Sequence, residues 1–209
     1  MNAVFLLSIA ACAAFRLRAD ALDATAAAFT LEALFIALYV LWLLGEARIS
    51  RRDMNRENRE MPDGGSCLLY GGAQFLVFLS ALLMPPARPG LLAAQMAGLA
   101  LFALGVALRL WAIRSLAGLY SHRVCLAKEH AVVSCGPYCW LRHPAYAGML
   151  LAHCGVLLCF FNWLTAGLLF AALVPAVIYR IRLEERLLFQ LPGYARFAAR
   201  RRRLCPFVW

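Results

Sequence analysis

Residues 142–188 read RHPAYAGMLLAHCGVLLCFFNWLTAGLLFAALVPAVIYRIRLEERLL. Two apolar runs, 147–161 and 164–180, are parted only by Asn162-Trp163. A helix needs about 20 apolar residues to cross a hydrocarbon core of ~30 Å, and somewhat fewer where the bilayer adapts. The stretch therefore predicts two spans that turn back on each other as a tight helical hairpin. Both open ends of that hairpin carry charge, Arg142-His143 at one and Arg180 through Glu185 at the other. Pro144 suits the first turn of a helix, where a missing amide costs nothing. Arg142 and His143 then stand at the mouth of the span, and helix-start amides beside them favour an anion.

Outward from the hairpin, four further apolar runs occupy residues 3–15, 25–45, 66–84 and 90–112. The expected fold is all-α and polytopic, with about six transmembrane segments. The run at 3–15 lacks the basic start and small-residue cleavage site of a signal peptide, so it is read as a span. Pro85-Pro86 and Pro89-Gly90 mark a turn, because proline has no amide to give a helix. Across all 209 residues, 64% are hydrophobic and 15% charged, which excludes an ordinary soluble domain, a disordered chain and a small disulfide scaffold. No internal repeat supports an inverted-repeat transporter, and no phosphate-binding glycine loop is present.

Arginine placement orients the spans. The 46–65 loop carries Arg48, Arg51, Arg52, Arg56 and Arg59, whereas the 85–89 turn has Arg88 alone and the 162–163 turn none. Positive residues favour the cytoplasmic side, so both termini, the 46–65 loop and the 113–146 segment are expected there. Arg16 and Arg18 fall on the outer side of this scheme. The mixed composition of 46–65 reads as a solvated connector or a surface helix.

Charge is unevenly divided. Residues 1–112 hold nine basic and eight acidic side chains, and residues 113–209 hold twelve and three, together with all four His. Because the basic residues lie between apolar runs, the expected partners are anionic lipid head groups or an anionic cofactor, and not nucleic acid. The eight Cys show neither a CxxC pair nor zinc-site spacing and are expected to pack as small hydrophobes, with no metal site. The end, Cys205-Pro206-Phe207-Val208-Trp209, is not a CaaX lipidation signal.

Taken alone, Arg142 and His143 would mark a membrane boundary. Arg180 with Glu184, and Arg182 with Glu185, would be intrahelical ion pairs worth about 0.2–0.5 kcal/mol. The hairpin changes that reading by returning both clusters to one side of the membrane, where ionisable groups usually serve a ligand. A pocket with guanidinium, imidazole and carboxylate groups suits a zwitterion.

Gly136-Pro137-Tyr138, then Arg142-His143-Pro144 with Tyr146 and Gly148, then Glu184-Glu185 with Leu188 and Gly193-Tyr194 resemble the isoprenylcysteine carboxyl methyltransferase family. The resemblance spans about residues 110–206, and phospholipid N-methyltransferases share parts of it. It implies a membrane enzyme that takes S-adenosylmethionine from the cytoplasm and a lipid-like acceptor from the bilayer. Residues 1–112 would be a transmembrane scaffold and 113–209 the catalytic region of one integrated domain. The cofactor-binding residues so implied are His130, Gly136, Tyr138, Arg142, His143, Pro144, Tyr146, Gly148, Glu184 and Glu185. Arg180, eight residues before Leu188, would hold the acceptor carboxylate, with Arg182 a near competitor.

Arg180 and His143 are the candidate catalytic residues. Methyl transfer from a sulfonium is an in-line displacement, so the protein must chiefly align the reactants and exclude water. A carboxylate acceptor, best matched by an isoprenylcysteine, is already ionised. A lipid phenol or amine would need a base such as His143 or His130, imidazole being the side chain suited to that task near neutrality. A thiol is a further possible acceptor class. The competing reading is a transporter or haem-carrying membrane protein using the same Arg, His and Glu groups, with His153 as the haem ligand.

Three polar features lie apart. Glu32 is expected at the outer interface, Arg109 to snorkel toward the cytoplasmic boundary, and His153 to be a packed polar residue. The segment Gly193 to Arg203 reads as a basic stretch lying on the membrane surface or as a cover for the cofactor.

Overall fold

The structure, a computed structural model, describes residues 26–54, 65–84, 92–116 and 132–205. The expected span at 3–15 lies outside these, apart from Ala11 and Ala14, which are helical. Five long helices follow in order: α1 (Ala26–Met54), α2 (Ser66–Leu83), α3 (Leu92–Ser115), α4 (Pro144–Cys159) and α5 (Trp163–Leu188). A 3-10 turn, Gly136–Cys139, precedes α4, and a short α6 (Tyr194–Ala199) follows α5. Helices α1, α2, α3 and α5 are long and apolar enough to cross a membrane, and α4 is a shorter apolar helix of 16 residues. At ~1.5 Å per residue, α4 is about 24 Å long. The chain is an all-helical, polytopic membrane protein, and Asn162-Trp163 does turn α4 back into α5.

Element ends differ from expectation in two places. Helix α1 runs on to Met54 and takes in the start of the 46–65 loop, and α5 runs to Leu188, eight residues past the expected end. The α5 extension is amphipathic: Ile181 and Glu185 are buried while Arg182 and Arg186 are exposed. A rule that stops a span at the first charge misses such a turn, because one face still has a core to cover.

Each helix buries one stripe. In α1 it is Ala28, Glu32, Phe35, Ile36, Tyr39, Trp42 and Ala47, at helical spacing. Leu41, Leu68, Leu104 and Phe170 stay exposed, as lipid-facing positions do. The core is aromatic at its centre. Tyr39 stacks on Phe78 with centroids 3.5 Å apart, and Phe35 meets Phe102 and Phe160 at 4.7 and 5.3 Å.

Helices α3 and α4 touch backbone to backbone. A Cβ added at Gly105 would lie 2.4 Å from the Ala152 nitrogen and 2.5 Å from the Gly148 oxygen, and one at Gly155 would lie 2.6 Å from the Gly98 oxygen. The four glycines pair antiparallel, Gly98 with Gly155 and Gly105 with Gly148, seven residues apart on each helix. In lipid, where burying apolar surface gives no drive to helix pairing, such close approach supplies the attraction.

Polar bonds bind α1 to α3 at two levels. Gln95 donates to Glu32 at 2.9 Å, and Arg109 donates to Glu46 from Nε at 2.6 Å and from a terminal nitrogen at 2.8 Å. Both pairs have the same sequence offset of 63, so α1 and α3 run parallel in fixed register. Glu32, within two turns of the start of α1, is buried against Gln95. One expectation is corrected here. Arg109 does not snorkel: it is 2% exposed and also donates to the Ala145 carbonyl at 3.2 Å. A paired guanidinium inside the bundle avoids the cost of reaching out, and Trp42 completes the site by donating to Glu46 at 3.0 Å. Arg109→Ala is expected to lower unfolding stability by about 3–5 kcal/mol, because it leaves a carboxylate buried without its cation; thermal unfolding in detergent would show this, and an unchanged melting temperature would refute it.

At the closed end of the hairpin, the Asn162 side chain caps α5 by accepting from the Thr165 amide at 2.8 Å. Thr165 and Ser80 share a hydroxyl hydrogen bond of 2.8 Å, tying α5 to α2. Within α5, Leu169–Leu173 form a π-helical turn, and the Val174 amide donates to the Leu169 carbonyl. Pro175 follows directly, and the wider turn accommodates a residue without an amide to donate.

Candidate functional site

The charged end of the hairpin is organised around Glu185, which is 4% exposed. Arg142 donates to its Oε1 at 3.0 Å, both Nε and a terminal nitrogen of Arg203 reach its Oε2 at 2.8 Å, and His143 Nε2 stands 3.4 Å from Oε1. Arg142 also donates from Nε to the Arg201 carbonyl at 2.9 Å and from its other terminal nitrogen to the Ala198 carbonyl at 2.7 Å. Bonds to a charged partner are the stronger kind, so Glu185 knits α4, α5 and the C-terminal tail into one unit.

The tail also pairs through its backbone. The amides of Arg142 and His143 donate to the carbonyls of Arg202 and Arg203 at 2.8 and 3.0 Å, and Leu141 and Arg202 form an isolated parallel bridge. Its part from Gly193 to Arg203 is therefore built into the site and is not merely spread on a membrane surface. Arg196 and Arg200 remain exposed and, with Arg201, Phe197, Gly193, Ser134 and Val132, line a cavity of about 260 Å³.

Glu184 differs from its neighbour. His143 Nδ1 lies 3.8 Å from its Oε2, and that buried oxygen has no hydrogen-bond partner among the described residues. The Tyr194 hydroxyl is also buried without such a partner. Burial, then the charges of Glu185 and Glu184, push the Tyr194 phenol well above its ordinary range, against the opposing pull of Arg142 and Arg203. It stays protonated and can donate. A buried acceptor oxygen and a buried phenol, both unsatisfied, suit a ligand that brings hydroxyl or ammonium groups. The charged groups here thus fit an S-adenosylmethionine-like zwitterion.

One turn into α4, the Tyr146 hydroxyl accepts from Arg180 Nε at 2.8 Å, and its ring lies 5.9 Å from that of His143. Arg180 is 2% exposed, and one terminal nitrogen donates to Ser66 Oγ at 2.9 Å. Arg182 is exposed on the other face of α5, which settles which arginine points inward.

The remaining positions divide. Tyr138 is buried in a small core with Ala112, Ala145, Tyr194 and Phe197, beneath the tail. Pro144 opens α4 and is buried. Gly136 takes φ +58°, where a Cβ would also fall 2.4 Å from Ser115 Oγ, so glycine is required on two counts. Gly148 is placed by packing: its Cβ would meet the Gly105 oxygen at 2.6 Å and the Arg109 nitrogen at 2.7 Å, on the α3 side of α4. His130 lies outside the described residues. His153 is fully buried, with Nδ1 2.9 Å from the Met149 carbonyl and its ring edge-on to Tyr39 and Trp42, a packed polar residue.

Sequence reasoning missed Arg203, Tyr194 as a site residue, and Ser66. Arg203 is one of four consecutive arginines, and no pattern singles it out. Ser66 sits 114 residues from Arg180. Tyr194 had a signal, since it follows Gly193 directly at the start of the last helix.

Residues 97–190 match the model of the isoprenylcysteine carboxyl methyltransferase (ICMT) family, just under half of the chain. Among solved structures, the fold is similar to that of the eukaryotic intramembrane Ras methyltransferase ICMT solved without a monobody. Identity is 19%, the TM-score is 0.53, and the match covers 86% of this chain and 66% of that one. The chain thus spans slightly less than two thirds of that protein's length. No curated protein matches.

Proposed function

We propose, from the family match over residues 97–190 and the charged cluster it contains, that the protein is an integral-membrane methyltransferase. It moves a methyl group from S-adenosylmethionine to a lipophilic acceptor, best an isoprenylcysteine-type carboxylate, at a site facing the cytoplasm. The observation that carries this reading is the adjacency of two unlike subsites on one hairpin. Glu184 and Tyr194 offer unsatisfied polar atoms to a zwitterion beside His143, and Tyr146 leads from His143 to the buried Arg180.

When bound, the donor supplies a sulfonium-activated methyl group. Glu184 would accept from its hydroxyls or ammonium. Arg142 and Arg203, fixed on Glu185, hold the tail closed and keep water from the reacting atoms. Arg180 would hold the acceptor carboxylate through a charged, directional contact, so that a nucleophile already ionised is aligned without a general base. His143 stands between the two Glu, 3.4 Å from Glu185 and 3.8 Å from Glu184. Residues 113–209 supply these groups, and the preceding helices act as the scaffold that carries them.

Transfer of a radiolabelled methyl group tests the reading, with prenylcysteine, alkylphenol, thiol and amine acceptors offered in parallel. Labelling of the prenylcysteine as a base-labile ester is expected. Arg180→Ala should abolish it, whereas Arg182→Ala should stay within about threefold of the unmodified protein, as for an exposed side chain. Label on none of the acceptors would refute the enzyme reading, and label only on an amine or a thiol would refute the carboxylate.

A further inference from the structure

Arg180 is held by residues from a helix that the family match does not include. Ser66, the first residue of α2, is 1% exposed and its Oγ accepts from the Arg180 terminal nitrogen at 2.9 Å. One turn on, the Tyr70 ring lies under the guanidinium with its centroid 5.5 Å from Cζ. Tyr70 is itself 6% exposed and stands edge-on to Tyr146 at 5.9 Å, while Tyr146 takes the Arg180 Nε. The guanidinium is thus fixed in its plane by Ser66 and Tyr146 and on its face by Tyr70. A planar fork recognises a carboxylate by direction as well as charge, so whatever sets the plane sets where the anion must lie.

We infer that Ser66 and Tyr70 are positioning residues for the acceptor: through Arg180 they fix the site of an anionic, carboxylate-bearing substrate, and they do not touch the methyl donor. This rests on the acceptor assignment made for Arg180. The N-terminal half then contributes to acceptor selection as well as to support. Its contribution comes from the start of α2, where Gly65 in a left-handed conformation (φ 73°) leads directly into Ser66.

The test uses the full-length protein in detergent with S-adenosylmethionine and a prenylcysteine, measuring kcat and KM for each substrate separately. Ser66→Ala is expected to raise the acceptor KM about tenfold, the worth of one hydrogen bond to a charged group, with the donor KM unmoved. Ser66→Thr, which restores the hydroxyl, should bring it back. Tyr70→Leu should raise the same KM, and Tyr70→Phe, which keeps the ring face, should raise it less. A merely structural role would instead lower kcat and the melting temperature without separating the two KM values, and that result would overturn the inference. An unchanged acceptor KM in Ser66→Ala beside an active unmodified protein would overturn it alone. No transfer to the prenylcysteine by the unmodified protein would overturn it together with the acceptor assignment.

Discussion

Glu185→Gln is expected to reduce methyl transfer by roughly two to three orders of magnitude, although it changes a single atom's identity. The carboxylate receives Arg142 on one oxygen and Arg203 on the other, with His143 beside it. An amide keeps the shape but offers one acceptor oxygen, and its NH2 faces a guanidinium. Removing one partner from a buried, paired charge costs about 3–5 kcal/mol, and here the loss falls on the contacts that hold the tail over the site. Binding of S-adenosylmethionine by calorimetry and limited proteolysis of the tail would both report it. Glu184→Gln should weaken donor binding while leaving the tail protected, because its Oε2 has no hydrogen-bond partner among the described residues. A Glu185→Gln protein with the unmodified rate and tail protection would refute the assignment.

Gly105→Leu is expected to prevent recovery of folded protein. The new Cβ would stand 2.4 Å from the Ala152 nitrogen, 2.5 Å from the Gly148 oxygen and 2.9 Å from the Ala152 Cα. These are backbone atoms of a helix and cannot rotate away, so α3 and α4 would have to part along the face that also seats Gly98 on Gly155. Overpacking alone costs about 1–3 kcal/mol, and separation would pull Arg109 from the Ala145 carbonyl and from its register with Glu46. Gly71→Ala is the contrasting case. Nothing lies within 4 Å of a Cβ there, and helix propensity favours alanine by about 1 kcal/mol. Size-exclusion profiles and melting curves of the two variants should diverge in sign, and a well-folded Gly105→Leu would refute the backbone contact.

The hairpin and its two charged ends could be read from the chain because they depend on local quantities: run length, a two-residue turn and helical spacing. The resemblance then picked out the inward arginine, Arg180, from its neighbour Arg182. Register between distant helices was not available. Arg109 offers no sign that Glu46 waits 63 residues earlier, and so it looked like a residue reaching for water. Gly148, which the resemblance implies as a cofactor residue, also packs on Gly105 and Arg109 of α3, a contact between distant segments that no local pattern announces. Arg203 gains its role from geometry that its three neighbours share in sequence and lack in space.

The π-helical turn at Leu169–Leu173 bears on all of this. A wide turn holds one residue more than an α-helical turn would, and one residue is about 100° of rotation. Everything downstream of it in α5 is therefore re-aimed relative to the apolar face upstream, as a threaded collar sets the angle of a shaft. Thr165 faces the core before the wide turn, Leu169 and Leu173 face it at the turn's two ends, and Arg180, Ile181 and Glu185 face it after. In a regular helix of the same sequence the Arg180 guanidinium and the Glu185 carboxylate would swing toward lipid or solvent. The angular setting of the charged end thus resides in a stretch of leucine, alanine and phenylalanine about two turns away, which holds no charged residue.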